Sequence, residues 1–306
     1  MKSIKDLKIT TLVDNLVMTN CLGQWGLSFL LEFIDGHGDH RKVIFDTGVH
    51  KKSLLYNIKQ LKVNLSDVDC LVISHGHGDH TAANVEVTKA AGSLKVYAHP
   101  HVFQLRFYED KNGKRRKHGV PEDEGIFEIE QAGGEVLFNN KPTEILPGVW
   151  TTGEIPRVTQ FEHLAPPSNG GRRVIVVDEE EIDDQILDDQ ALWMNVKEVG
   201  PIIITGCAHS GTVNTLLYVQ KCVHEIKPLR NIYGFVGGTH LIGCSQEYLM
   251  QTIGGLKEFN LGFISPCHCT GFKAAAELWK AFSKAFVLNF SGRVIRTGKK
   301  LKKPIF

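Results

Sequence analysis

Apolar residues recur along this chain in short bursts with two different periods. β-Branched and aromatic runs at 7–14, 27–35 and 42–45, separated by turn residues, predict three successive strands that open the fold as a meander. The period then changes: Leu54, Leu55, Ile58 and Leu61 fall close to helical spacing, so 51–61 is expected as a helix. Asn64-Leu65-Ser66-Asp67 turns the chain into the apolar run Cys70-Leu71-Val72-Ile73, read as a buried strand. A helix rich in small residues follows at 81–91, and a strand at 95–100 ends in His99, with His101 just beyond. Short strand candidates at 135–138, 144–145, 149–152 and 174–177 lead to longer ones: a strand opening at Ala191, then Pro201-Ile202-Ile203-Ile204, 232–236 and 262–268. Helices at 211–226 and 272–282 and runs at 286–290 and 293–296 complete the chain. Strands alternating with helices, with polar loops at strand ends converging from both halves, predict an α+β fold of two stacked mixed sheets with helices outside.

Composition adds exclusions. Hydrophobic content of 42% with 23% charged residues is that of an ordinary soluble globular protein, and a formal net charge of +1 gives no overall pull toward nucleic acid. No stretch reaches the roughly 18 apolar residues of a membrane span. The charged start, Met1-Lys2-Ser3-Ile4-Lys5, lacks the apolar core of a signal peptide, so a cytoplasmic location and no membrane partner are expected. Seven scattered cysteines do not form a secreted disulfide framework. The 306 residues are read as one domain, 1–306, with an insertion and lid region from about 103 to 190. Within it the acidic run 178–184 reads as solvated loop, and Pro166-Pro167-Ser168-Asn169-Gly170-Gly171 as a flexible connector. The basic run 111–118 reads as a surface excursion, as a cationic lip for a phosphorylated substrate, or as a face for a second copy of the chain in a homo-oligomer.

The chemistry concentrates after the strand at 70–73. Ser74-His75-Gly76-His77-Gly78-Asp79-His80 carries three imidazoles and a carboxylate within six residues. Neutral imidazole ligates zinc, iron or manganese, and the carboxylate adds a hard oxygen. In a turn, His75 and His77 can point to one side and Asp79 and His80 to another, serving two adjacent ions above a backbone tightened at Gly76 and Gly78. The similar string Gly36-His37-Gly38-Asp39-His40 lies between two strands without an apolar lead-in and reads as a hairpin tip. Other strand ends supply more donors: Thr205-Gly206-Cys207-Ala208-His209, Gly237-Gly238-Thr239-His240 and Pro266-Cys267-His268-Cys269. His240 is a candidate for substrate contact or acid/base work, or for a place behind the ligands. Glu154 and Arg157, three apart in a Gly/Pro-bounded loop, suit recognition of a polar substrate, with Arg157 gripping phosphate or carboxylate, or else they pair with each other. Asp189 ligates, orients a ligand, or is a plain turn carboxylate. The helix at 211–226 starts beside these loops, where its amino terminus suits an anion.

The H-x-H-x-D-H string, with Phe45-Asp46-Thr47-Gly48 upstream, resembles the signature of the metallo-β-lactamase-fold superfamily. The strings Thr152-Gly153-Glu154-Ile155-Pro156-Arg157, Leu187-Asp188-Asp189-Gln190, Thr205-Gly206-Cys207-Ala208-His209-Ser210-Gly211, Val236-Gly237-Gly238-Thr239-His240 and His268-Cys269-Thr270-Gly271 are similar to its branch named after 7,8-dihydropterin-6-methyl-4-(β-D-ribofuranosyl)aminobenzene-5′-phosphate synthase, a methanopterin-pathway enzyme. The resemblance runs from about Thr10 to Gly292 and implies the αββα sandwich. It implies two divalent metal ions, zinc foremost with manganese or iron as alternatives, the first on His75, His77 and His209 and the second on Asp79, His80 and His268. Asp79 would also orient a water that the ions activate, and Asp46 would fix a histidine tautomer from behind. Many members carry a bridging Asp at a Gly-Asp strand end; Cys207 stands in that place here. Two reactions on a small phosphorylated or anionic substrate follow: hydrolysis of a phosphoester, lactone or other ester by a metal-bound hydroxide, or displacement of diphosphate from a dihydropterin by a ribofuranosylaminobenzene phosphate.

Overall fold

The computed structural model describes residues 2–164, 170–226 and 231–297. Residues 166–169 of the expected connector lie outside the described residues. Seven strands form the first large sheet: β1 (Lys5–Val13), β2 (Ser28–Ile34), β3 (His40–Phe45), β4 (Cys70–Val72), β5 (Leu94–Ala98), β8 (Gly134–Phe138) and β17 (Val294–Arg296), in the order β17-β1-β2-β3-β4-β5-β8. The second holds β9 (Thr143–Leu146), β10 (Val149–Thr151), β13 (Ala191–Val196), β14 (Gly200–Thr205), β15 (Gly234–Gly238) and β16 (Phe263–Cys267), in the order β16-β15-β14-β13-β10-β9. Both sheets are mixed. β3, β4, β5 and β8 run parallel beside an antiparallel meander, and β14, β15 and β16 run parallel beside antiparallel β13.

The two-residue period decides the layering. Along β2, Phe29, Leu31 and Phe33 enter the core between the sheets while Leu30 faces the opposite side; along β14, Ile202 and Ile204 point inward and Ile203 outward. The outward residues of the first sheet pack under α1 (Lys51–Gln60), α3 (Asn84–Ala91) and α4 (Ile126–Gln131), and those of the second under α5 (Thr212–Ile226), α6 (Gln246–Lys257) and α7 (Phe272–Ala281). Strands apolar on both faces need cover on both. The result is the expected αββα sandwich. Among the described residues no helix is long and apolar enough to cross a membrane.

Several elements depart from expectation. The helix expected at 81–91 is split into α2 (Gly78–Thr81) and α3, because the Ala82 and Ala83 amides donate to Gly48 O and Thr47 Oγ1 instead of continuing a helical ladder. Residues 286–290 contribute one bridge, Phe286 to Ile264, and no strand. The acidic run is not loop: β12 (Glu180–Asp183) pairs with β11 (Arg172–Val177), and with β6 (Arg106–Glu109) and β7 (Arg115–Lys117) forms a four-stranded sheet. Its charges answer the basic run, since Arg115 binds Glu109 and Glu181, Arg172 binds Glu109, and Lys117 binds Glu122. Two cations of the basic run, Arg115 and Lys117, are thereby paired with carboxylates. Within the stretch from 103 to 190, β8, β9 and β10 belong to the large sheets and β6, β7, β11 and β12 form the small one.

Candidate metal centre

The loop after β4 carries the histidine string under tight clearance. A Cβ on Gly76 would sit 2.1 Å from Val102 O, and one on Gly206 would sit 2.0 Å from Ser74 Oγ, so both positions require glycine. The fold brings together every residue expected as a ligand. The donor atoms of His75, His77 and His209, all buried, lie within 4.8 Å of one another. So do those of Asp79, His80 and His268, with His268 Nε2 3.2 Å from His80 Nε2 and 3.4 Å from Asp79 Oδ2. A third group, His75, His80 and Cys207, joins the two: Cys207 Sγ lies 3.2 Å from His80 Nε2. One ion bound at about 2.0–2.3 Å needs donors no more than about 4.6 Å apart. The 4.8 Å bound on each group lies close to that limit, and His77 Nε2 and both ring nitrogens of His209 are buried with no hydrogen-bond partner among the described residues.

The electrostatics differ between the two triads. Burial pushes His75, His77 and His209 well below the ordinary imidazole value, and their cationic neighbours push them further, which keeps the rings in the neutral form a metal needs. Burial also acts on Asp79 and His80, upward on the acid and downward on the base. Their mutual attraction outweighs it. With His268, His80 holds Asp79 far below the carboxylate range, while Asp46 and Asp79 lift His80 to about 9. Asp79 is therefore an anionic oxygen donor across the working range of pH.

His80 and His268 are braced from behind through their rings, and the loops of His75, His77 and His209 through backbone amides. Asp46 takes 2.7 Å hydrogen bonds from the Ser74 amide and hydroxyl and meets His80 Nδ1 at 2.7 Å, leaving His80 Nε2 to face the site. Asp14 accepts the His268 amide at 2.8 Å, and Asn15 Oδ1 lies 3.1 Å from His268 Nδ1. The turn before β13 clamps two ligand loops together: Asp188 accepts the Gly76 amide at 2.7 Å, Asp189 accepts the Ser210 amide at 2.8 Å, and Gln190 Nε2 donates to Ile73 O. Asp189 thus orients the His209 loop, and it stands in none of the grouped donor sets. Burial raises it to about 6. Asp46→Asn is expected to weaken metal affinity by about 10- to 100-fold, the usual loss when a ligand's hydrogen-bond partner is altered. A chelator-competition titration measures it, and unchanged affinity would refute the bracing role.

The remaining candidates sit differently. Glu154 and Arg157 do not pair; Glu154 Oε1 meets His99 Nε2 at 3.1 Å and Arg157 donates to Gln185 O at 2.8 Å. His240 packs its half-buried ring 4.1 Å from that of His209. The amino terminus of α5 is already occupied by the chain's own carboxylate, because Glu162 accepts the Val213 and Asn214 amides at 2.8 and 2.7 Å; burial raises that acid to about 7. Three neighbours carry no local signal. His118, at the end of the basic run, stacks 4.3 Å from His77; Trp25, half exposed, lies 5.3 Å from His268; and buried Arg106 pairs with Asp188 at 2.7 Å.

The family profile of the metallo-beta-lactamase superfamily matches residues 26–179. The chain is 31% identical over 306 residues to the 7,8-dihydropterin-6-methyl-4-(β-D-ribofuranosyl)-aminobenzene-5′-phosphate synthase of Methanocaldococcus jannaschii, covering 96% of this chain and 97% of that protein. It is 29% identical to an uncharacterized protein of the same organism, covering 94% and 99%. Among solved structures it is similar to Tm1679, a metal-dependent hydrolase of the beta-lactamase superfamily, with a TM-score of 0.75 at 22% identity, covering 96% and 100%.

Proposed function

The chain belongs to the metallo-β-lactamase superfamily, and from that premise we propose that it is a metal-dependent hydrolase of a small anionic ester, a phosphoester foremost. One observation carries the reading: two triads of donors, the buried His75/His77/His209 and the partly open Asp79/His80/His268, meet, and His77 Nε2 and both ring nitrogens of His209 have no hydrogen-bond partner among the described residues. In this reading the first triad would hold one divalent ion and the second triad another, with Cys207 beside them. Imidazole and carboxylate suit zinc, manganese and iron alike. Such ions supply Lewis acidity and bring the pKa of water toward neutrality.

The chain's own groups supply the rest. Asp79 Oδ2, held anionic and partly open to solvent, accepts a hydrogen bond from the attacking water and orients it. Asp46 and Asn15 keep His80 and His268 in the tautomers that face inward. Trp25 and His118 flank the mouth and bind the substrate's body, and the His99–Glu154 pair lines the approach.

A second reading, the dihydropterin transferase, is favoured by the synthase relative's match over nearly the whole chain. The two are separated by assaying metal-loaded protein against phosphoesters, lactones and simple esters, and against 6-hydroxymethyl-7,8-dihydropterin diphosphate with and without the ribofuranosyl aminobenzene phosphate. Chelator-sensitive cleavage of an ester without a second substrate is expected. Release of diphosphate only in the presence of the second substrate, with a joined product, replaces hydrolysis by transfer.

A further inference from the structure

Beside the histidine centre lies a sulfur-rich cluster that neither triad uses. Cys207 follows β14, His240 follows β15, and Cys269 follows β16, so three adjacent parallel strands deliver one donor each to the same end of the sheet. Their donor atoms lie within 4.8 Å of one another. Both thiols are buried, at 3% and 2% exposure, and His240 Nδ1 is buried without a hydrogen-bond partner among the described residues.

The backbone is shaped around this cluster. A Cβ on Gly238 would sit 2.7 Å from Cys269 Sγ and 2.3 Å from Gly206 O, so the missing side chain is what lets the sulfur approach. His240 takes a left-handed conformation, φ +49°, which turns its own amide onto Cys269 Sγ at 3.2 Å and its ring toward the cluster. Non-glycine residues held at such angles gather at functional sites.

We propose that Cys207, His240 and Cys269 form a ligand set of their own for a soft divalent ion, adjoining the histidine centre and sharing the Cys207 sulfur with it. Two thiolates and an imidazole select zinc or cadmium over manganese or magnesium, whereas the imidazole and carboxylate triads do not discriminate in that way. Binding deprotonates each thiol, with both protons passing to solvent and no change of oxidation state. With three protein donors, the fourth tetrahedral position stays open to water. The assignment makes His240 a ligand rather than an acid or base. It is independent of which reaction the protein catalyses.

The test reads metal rather than turnover. Divalent cobalt titrated into metal-free protein is expected to bind in one more equivalent in the wild type than in Cys269→Ser or His240→Ala. Sulfur-to-cobalt charge-transfer absorption should fall in Cys269→Ser and persist in His77→Ala. Cadmium NMR on fully loaded wild-type protein needs no variant and is expected to show a resonance in the range for two sulfur ligands. Equal cobalt uptake with unchanged charge transfer across the variants, or cadmium signals confined to the nitrogen and oxygen range, overturns the proposal.

Discussion

His77→Ala is expected to remove one equivalent of bound metal and to lower turnover by more than about 100-fold. Replacing a residue that merely orients a ligand already costs about 10- to 100-fold, and His77 stands with its Nε2 free at the centre of the first triad. The fold should survive the change. His77 sits on the loop after β4, and its ring packs on His75, His118 and His209 rather than on the aliphatic core. Metal analysis of the purified variant and its turnover, read together with its melting temperature, separate loss of the ion from loss of structure. Wild-type metal content and turnover in a folded His77→Ala protein would remove the basis of the site assignment.

The largest expected effect on stability belongs to Arg106→Ala. The guanidinium is 1% exposed; it meets Asp188 at 2.7 Å and Asp184 at 3.3 Å and donates to His101 O. Deleting it leaves two buried carboxylates facing an empty space, and breaking a buried pair from one side costs about 3–5 kcal/mol. The damage should reach the metal loop, because Asp188 also holds the Gly76 amide. Burial pushes Asp188 upward, but Arg106 more than offsets it and holds the acid below its ordinary value of 3.8. A depressed acid contributes stability that is present above the unfolded value and lost as pH falls through the folded one. Without Arg106 burial alone acts on the two carboxylates and raises them, so the variant's deficit is expected to be largest near neutral pH and to shrink as pH falls toward and through the ordinary carboxylate value, as the unpaired carboxylates take up protons. Urea denaturation at several pH values measures this. A deficit under about 1 kcal/mol at neutral pH, typical of an exposed pair, would show that Arg106 is not the counter-ion of this clamp.

Features with a local cause were legible. The β-branched runs, the amphipathic spacing of Leu54, Ile58 and Leu61, and the polar hairpin at 36–40 all follow from neighbours in sequence. The hairpin tip is held by Asp35, which accepts the His37 and Asp39 amides. Features with a distant cause were not. The acidic run reads as loop because a dense run of like charge looks solvated, yet Arg115 and Arg172 pair with it and it lies in a sheet. The break between α2 and α3 has no glycine or proline to announce it; it is imposed by Thr47 and Gly48 from another loop. His118 sits in a run whose charge hides it, and only the small sheet brings it onto His77.

By itself, then, the sequence determined the layered architecture and the first four donors. Period-two burial is a local property, and His75, His77, Asp79 and His80 are close enough along the chain for their spacing to define a turn. The tertiary structure decided what those donors meet. His209, Cys207, His240, His268 and Cys269 arrive from three other strands, and only the parallel register of β14, β15 and β16 places them at one edge. Whether Asp189 ligates or braces, whether Glu154 pairs with Arg157 or with His99, and whether the α5 terminus is open to an anion all depend on ångström distances between residues far apart in sequence. Hydrogen bonds and ligation discriminate over tenths of an ångström, and no pattern of residue types along a chain carries that information.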